Sequence, residues 1–112
     1  MMQPNVSFNY MYRDAANYKQ HGEVIFANRD SLSIEEIKQK IIATLYDGEF
    51  FITKQVGVES CFFGDPVGPD DHPWHEFCDV SESGQPASER DIADFIEDLE
   101  EANRNGWNYT NY

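Results

Sequence analysis

Basic side chains are scarce in this sequence: 8 Lys and Arg stand against 21 Asp and Glu, for a net charge of −13. Affinity for nucleic acid comes largely from Lys and Arg neutralising phosphates, so direct binding to DNA or RNA is disfavoured. Anionic membrane surfaces are disfavoured for the same reason. Cysteine is rare too, with Cys61 and Cys78 alone in 112 residues. No apolar run approaches the roughly 20 residues that span a bilayer. Met1 to Asn9 has neither a basic start nor an apolar stretch, so no secretory leader is expected. These features lead to the expectation of a cytoplasmic protein with both thiols reduced. Neither a G-x-S-x-G elbow nor a phosphate-cradling glycine motif is present, which removes the commonest sequence signs of hydrolases and nucleotide enzymes.

Aromatic residues are abundant, with eight Phe, six Tyr and two Trp. At 40% hydrophobic, the chain is not disordered by composition. A chain of this length buries roughly 65% of its unfolded surface and needs no staples. One domain over 1–112 is expected, with 1–5 as a tail free to fray and 107–112 as an aromatic tail that either docks on the body or frays. The charge is unevenly spread. Residues 1–60 hold 8 acids and 6 bases, net −2, whereas residues 61–112 hold 13 acids and 2 bases, net −11. A basic partner, or a cation, is therefore favoured by the second half. Solubility is the plainer use of such charge.

Val6, Phe8, Tyr10 and Tyr12 alternate with polar or smaller neighbours, the period of a strand. Asp14 to Gly22 breaks this pattern, and Glu23 to Asn28 resumes a short β-favouring run, so a hairpin with a nine-residue connection is expected. Ser33 with Glu36 forms a capping box, and Ile34, Ile37, Ile41 and Leu45 mark one helical face that Asp47-Gly48 ends. Glu49 to Val56 reads as a strand, with Phe50, Ile52 and Val56 opposite Phe51, and Val58 to Phe63 as a further short one. Trp74 to Val80 follows, with Trp74, Glu76, Cys78 and Val80 on one side and His75, Phe77 and Asp79 on the other. Ser88 caps the last helix, where Ile92, Phe95, Ile96 and Leu99 have helical spacing. The order β-β-α-β-(β)-β-α implies an α+β, two-layer domain. Its antiparallel or mixed sheet of 4–5 strands carries two helices on one face.

The segment Gly64 to Glu76 concentrates three prolines, four acids, two histidines and Trp74. Loops presented by rigid elements carry function more often than cores do. Asp70, Asp71, His72, Trp74, His75 and Glu76 are therefore the first candidate binding residues, and a surface turn with Trp74 tucked inward is the plain alternative. His72, His75 and Cys78, with Cys61 upstream, are zinc-type ligands at a spacing that matches no recognised finger. In a strand, His75 and Cys78 point to opposite faces. A histidine beside Asp70, Asp71 or Glu76 also has the makings of an oriented base. Such neighbours arise by chance in any acidic loop, and no catalytic residue and no cofactor is expected. In the last helix, Asp91, Asp94, Asp98 and Glu101 form a stripe with Glu97 beside it. One carboxylate per turn falls about every 5.4 Å, a loose match to the 3.4 Å phosphate spacing of a DNA strand. The polar side of an amphipathic helix is ordinarily just solvated. Tyr10, Tyr12, Tyr18, Tyr46, Trp74, Trp107, Tyr109 and Tyr112 are too many to be all core, and Tyr and Trp are common interface anchors. The expected function is binding, without catalysis, of a protein partner, a basic one. A DNA-mimic inhibitor, a divalent-metal protein or small hydrolase, and a homodimer through its aromatics are the alternatives.

Overall fold

The alternation in β1 (Asn5–Arg13) sets the plan of the computed structural model, which describes residues 5–13, 18–61, 74–88 and 90–107. Val6, Phe8, Tyr10 and Tyr12 are buried on one side of the strand. β1 pairs antiparallel with β2 (Lys19–Phe26). The chain continues through α1 (Ile34–Ile42), β3 (Phe50–Ile52) and the single turn α2 (Thr53–Val56). It ends in β4 (Trp74–Ser83) and α3 (Ile92–Arg104). β4 pairs antiparallel with both β1 and β3, giving the order β2-β1-β4-β3. Among the described residues the fold is α+β, a four-stranded antiparallel sheet with three helices.

α1 begins as its sequence dictates: the Ser33 hydroxyl accepts the Glu36 N–H at 3.1 Å. It stops at Ile42, short of Asp47-Gly48. The Thr44 and Leu45 N–H groups donate to Ile41 and Ile42 at 3.0 and 3.2 Å, three residues back, which tightens the chain out of the helix. Leu45 still reaches the core.

Four expectations are corrected. β2 starts at Lys19, because polar Lys19, Gln20 and His21 pair with Arg13, Tyr12 and Met11, and an edge strand tolerates exposed polar side chains. Gly22 is required within it. A Cβ there would lie 2.7 Å from the Tyr10 ring and 2.8 Å from the Cys61 sulfur. The run after β3 is a helical turn, which buries Phe51, Ile52 and Val56 together where a straight strand would have separated them. Gly57 closes that turn at φ 72°, in the left-handed region that favours glycine. Residues 58–61 form no strand, and 62–63 lie outside the described residues.

The third correction concerns β4. The register shifts between Asn9, opposite Asp79, and Tyr10, opposite Phe77, so Cys78 is an extra residue in a β-bulge. His75, Phe77 and Val80 therefore all turn toward the core, while Cys78 and Asp79 are exposed. The fourth concerns α3, which is capped by Asp91 and not by Ser88. The stretch before it is extended and lies along the edge of β2: Ser88 N–H donates to Ile25 O at 2.8 Å and Ala27 N–H to Arg90 O at 3.1 Å. Ile92 N–H donates to Ala27 O at 2.8 Å.

One hydrophobic cluster joins the inner side of β1 to Ile37 and Ile41 of α1 and to Phe95, Ile96 and Leu99 of α3. Phe8 is its hub, within 4.9 Å of the Phe95 ring centroid and 5.7 Å of Phe51. Arg90 ties the helices together. It donates to Val56 O at 2.7 Å, pairs with Asp98, and lies over the Phe95 ring at 5.1 Å. No described helix is long and apolar enough to cross a membrane.

Candidate functional site

Asp70, Asp71 and His72 lie outside the described residues. The other three members of that loop set open β4, and the strand sends them in different directions. His75 is fully buried. Its Nε2 accepts the Cys61 N–H at 2.9 Å, and its ring packs among Tyr12, Tyr10 and Phe51 at centroid distances of 5.1–6.0 Å. A docking partner cannot reach it, so His75 is structural. Glu76 points the other way and pairs with Arg13 at 2.9 Å, which leaves no His75–Glu76 acid–base couple. Trp74 is half-buried and presents ring surface.

Of the zinc-type set, His72 lies outside the described residues, and Cys61, His75 and Cys78 do not converge on one point. His75 holds the backbone of Cys61, and Cys78 sits exposed on the bulge. Among the described residues no three His, Cys, Asp or Glu side chains converge as a metal site would require. Neither cysteine is tuned as a nucleophile. Burial raises the Cys61 thiol above its ordinary range, partly opposed by a hydrogen bond with Tyr10. Partial desolvation, then Glu76 and Asp79, raises Cys78. Reactive thiols need the opposite shift.

In α3 the four-carboxylate stripe divides. Asp91 is 4% exposed and accepts the Ala93 and Arg29 N–H groups at 2.9 and 2.8 Å. It is the helix cap and is unavailable to a partner. Asp98 is half-buried and pairs with Arg90. Asp94, Glu97, Glu100 and Glu101 are exposed, and none of them forms an ion pair among the described residues. Helical spacing puts these four on the side of α3 away from Ile92, Phe95 and Leu99.

A second feature adjoins the C-terminal end of this helix. Tyr46, Trp74, Asn103, Gly106 and Trp107 line a groove of about 460 Å³. Tyr46 is 58% exposed and stacks near Trp74, with ring centroids 4.9 Å apart. Its backbone is fixed by a tight turn: Tyr46 N–H donates to Phe50 O at 2.8 Å and Phe50 N–H returns to Tyr46 O at 3.0 Å. Trp107 forms the floor, buried, with its indole N–H donating to Thr44 O at 3.1 Å. Trp107 thus docks on the body and does not fray. Sequence reading named Tyr46 and Trp107 only as surplus aromatics, and Trp74 as a member of the acidic loop set. Their convergence from positions 46, 74 and 107 has no local sequence signal.

No family model matches the chain, and no curated protein and no solved structure is significantly similar to it.

Proposed function

We propose that the protein is a non-catalytic interaction module, regulatory or inhibitory, that presents the acidic side of α3 to a basic protein. The observation that carries this reading is the set Asp94, Glu97, Glu100 and Glu101, exposed along one helix and in no ion pair among the described residues. Like charges at i and i+4 repel and cost a few tenths of a kcal/mol per pair. Glu97–Glu101 has that spacing with neither member in an ion pair, and a cationic partner relieves it. The reading includes a two-layer arrangement with α1 and α3 on one face of the sheet, so that the polar side of α3 looks outward. Contacts of Phe95 with Phe8 and Phe26, and the shared core with Ile37 and Ile41, support it. A DNA-mimic role needs the full carboxylate stripe, and Asp91 and Asp98 already serve the fold. A general acidic docking face is therefore the better-supported form.

The test is capture from the native host with the wild type and with Glu97→Lys/Glu101→Lys. A basic protein should be retained by the wild type, released as salt approaches about 0.5 M, and lost with the double variant. Capture indifferent to both salt and charge reversal would sink the reading.

A further inference from the structure

We propose that the groove among Tyr46, Trp74 and Trp107 is the anchor site of that partner, and that it takes an arginine side chain. This inference rests on the reading of α3 above and adds to it a second, chemically distinct contact. The groove has the size of a ligand site, about 300–1,000 Å³ being usual, and suits one long side chain better than a whole helix. Its rings are already in place. Tyr46 is held by the Tyr46–Phe50 backbone pair, with Asp47 and Gly48 between them in left-handed conformation at φ 56° and 71°. Trp107 is held by Thr44. Exposed aromatic surface fixed by backbone hydrogen bonds loses little entropy when a ligand lands on it.

Charge selects the occupant. Asp47 and Glu49 are exposed in the turn that carries Tyr46. Asn103 is shared with an adjoining cleft that holds Glu100, Lys40 and Arg104, and Lys40 is engaged by Glu36 at 3.5 Å. With a net charge of −13, the chain surrounds the groove with a field that attracts cations. Among cations, guanidinium is both planar and weakly hydrated, so it stacks on Tyr and Trp faces more readily than an ammonium does. The protein uses that contact internally, with Arg90 over Phe95 and Phe26. The Asn103 side-chain amide is exposed at the rim and offers an acceptor to a guanidinium N–H.

Both tryptophans of the chain line this groove, so indole emission reports on it alone. The probe is a nine-residue Gly/Ser peptide carrying three arginines, with three citrullines in the uncharged control. Titration of the full chain should change the emission with the arginine peptide and not with the control. Tyr46→Ala should weaken binding about fivefold, and Tyr46→Phe, which keeps the ring, should restore it. Glu97→Gln/Glu101→Gln should also weaken binding and flatten its salt dependence. If the glutamate variant weakens binding while Tyr46→Ala does not, the groove inference falls and the acidic-face reading stands. Equal binding of the citrulline peptide overturns the need for a cation, and equal binding of a three-lysine peptide overturns the choice of guanidinium. An arginine peptide that does not bind the wild type at low salt overturns both readings.

Discussion

Around His75, polar and aromatic groups are locked into one another. The imidazole holds the Cys61 backbone, the Tyr10 hydroxyl donates to Glu59 O at 2.6 Å, and Tyr10, Tyr12 and Phe51 fill the space between. Every buried side-chain nitrogen and oxygen among the described residues has a hydrogen-bond partner. On the outer side of α3 the reverse holds, with Asp94, Glu97, Glu100 and Glu101 turned to solvent and in no ion pair among the described residues. Both regions hold residues that sequence reading marked as functional, a histidine in the first and carboxylates in the second. Desolvation separates them. A buried polar group must be bonded inside the protein or it costs about 1–3 kcal/mol, so the His75 region is saturated and has nothing left to offer a ligand. An exposed carboxylate or ring carries no such obligation and remains available.

The largest effect that would test this contrast is in the core. Phe8→Ala removes the ring that touches Phe26, Phe51, Phe77 and Phe95. It should lower unfolding stability by about 3–5 kcal/mol in urea denaturation. Glu97→Gln, measured alongside it, should change stability by no more than about 0.5 kcal/mol. Comparable losses from both would mean that α3's outer side is as structural as the core.

A sharper comparison lies within one helix. Asp91→Ala removes the cap of α3 and the acceptor of the Arg29 N–H, and should cost about 1–2 kcal/mol by thermal or chemical unfolding. Asp94→Ala, one turn on and exposed, should be close to neutral in stability and should weaken partner capture. If the two aspartates behave alike in unfolding, the division of the stripe into a structural and a free part is wrong.

These pairs also show what the sequence could reveal. The β1 alternation and the Ser33–Glu36 cap were legible because strand period and capping are local. Three features were not, because partners far along the chain decide them. The bulge at Cys78 depends on register against Asn9 and Tyr10, and it is what turns Phe77 and Val80 to the same side. The cap moved from Ser88 to Asp91 because Ser88–Ile92 bonds to the end of β2, more than 60 residues earlier. A run such as Phe50-Phe51-Ile52-Thr53 fits a buried strand or a helix turn equally well by periodicity. Of the candidate site, helical spacing marked Asp94, Glu97 and Glu101, but it also put Asp91 and Asp98 in the stripe and did not mark Glu100. His75 seemed functional because it stands in an acidic, proline-rich stretch, whereas its role comes from the rings it packs against. The aromatic groove needed three segments brought together by the fold.

The smallest expected effect concerns the two thiols, which repeat the contrast between buried and exposed. Cys61 is buried and Cys78 exposed. Burial raises the Cys61 thiol and, more strongly, the Tyr10 phenol, which Cys61 and Glu59 push up further. In the unfolded chain both groups regain their ordinary values, 9.0 for the thiol and 10.0 for the phenol. Above about pH 9 the unfolded state therefore binds fewer protons than the folded one, and stability falls as pH rises. Below pH 8 both are protonated in either state and contribute no slope. Cys61→Ala should reduce the alkaline slope measured by urea unfolding between pH 8 and 10, and so should Cys78→Ser, because both thiols are raised in the folded chain. Iodoacetamide at pH 7.5 should label Cys78 first, and more slowly than a free thiol, because Glu76 and Asp79 disfavour its thiolate. Equal labelling of the two cysteines in the folded protein would contradict the packing of residues 58–61 against Tyr10 and His75.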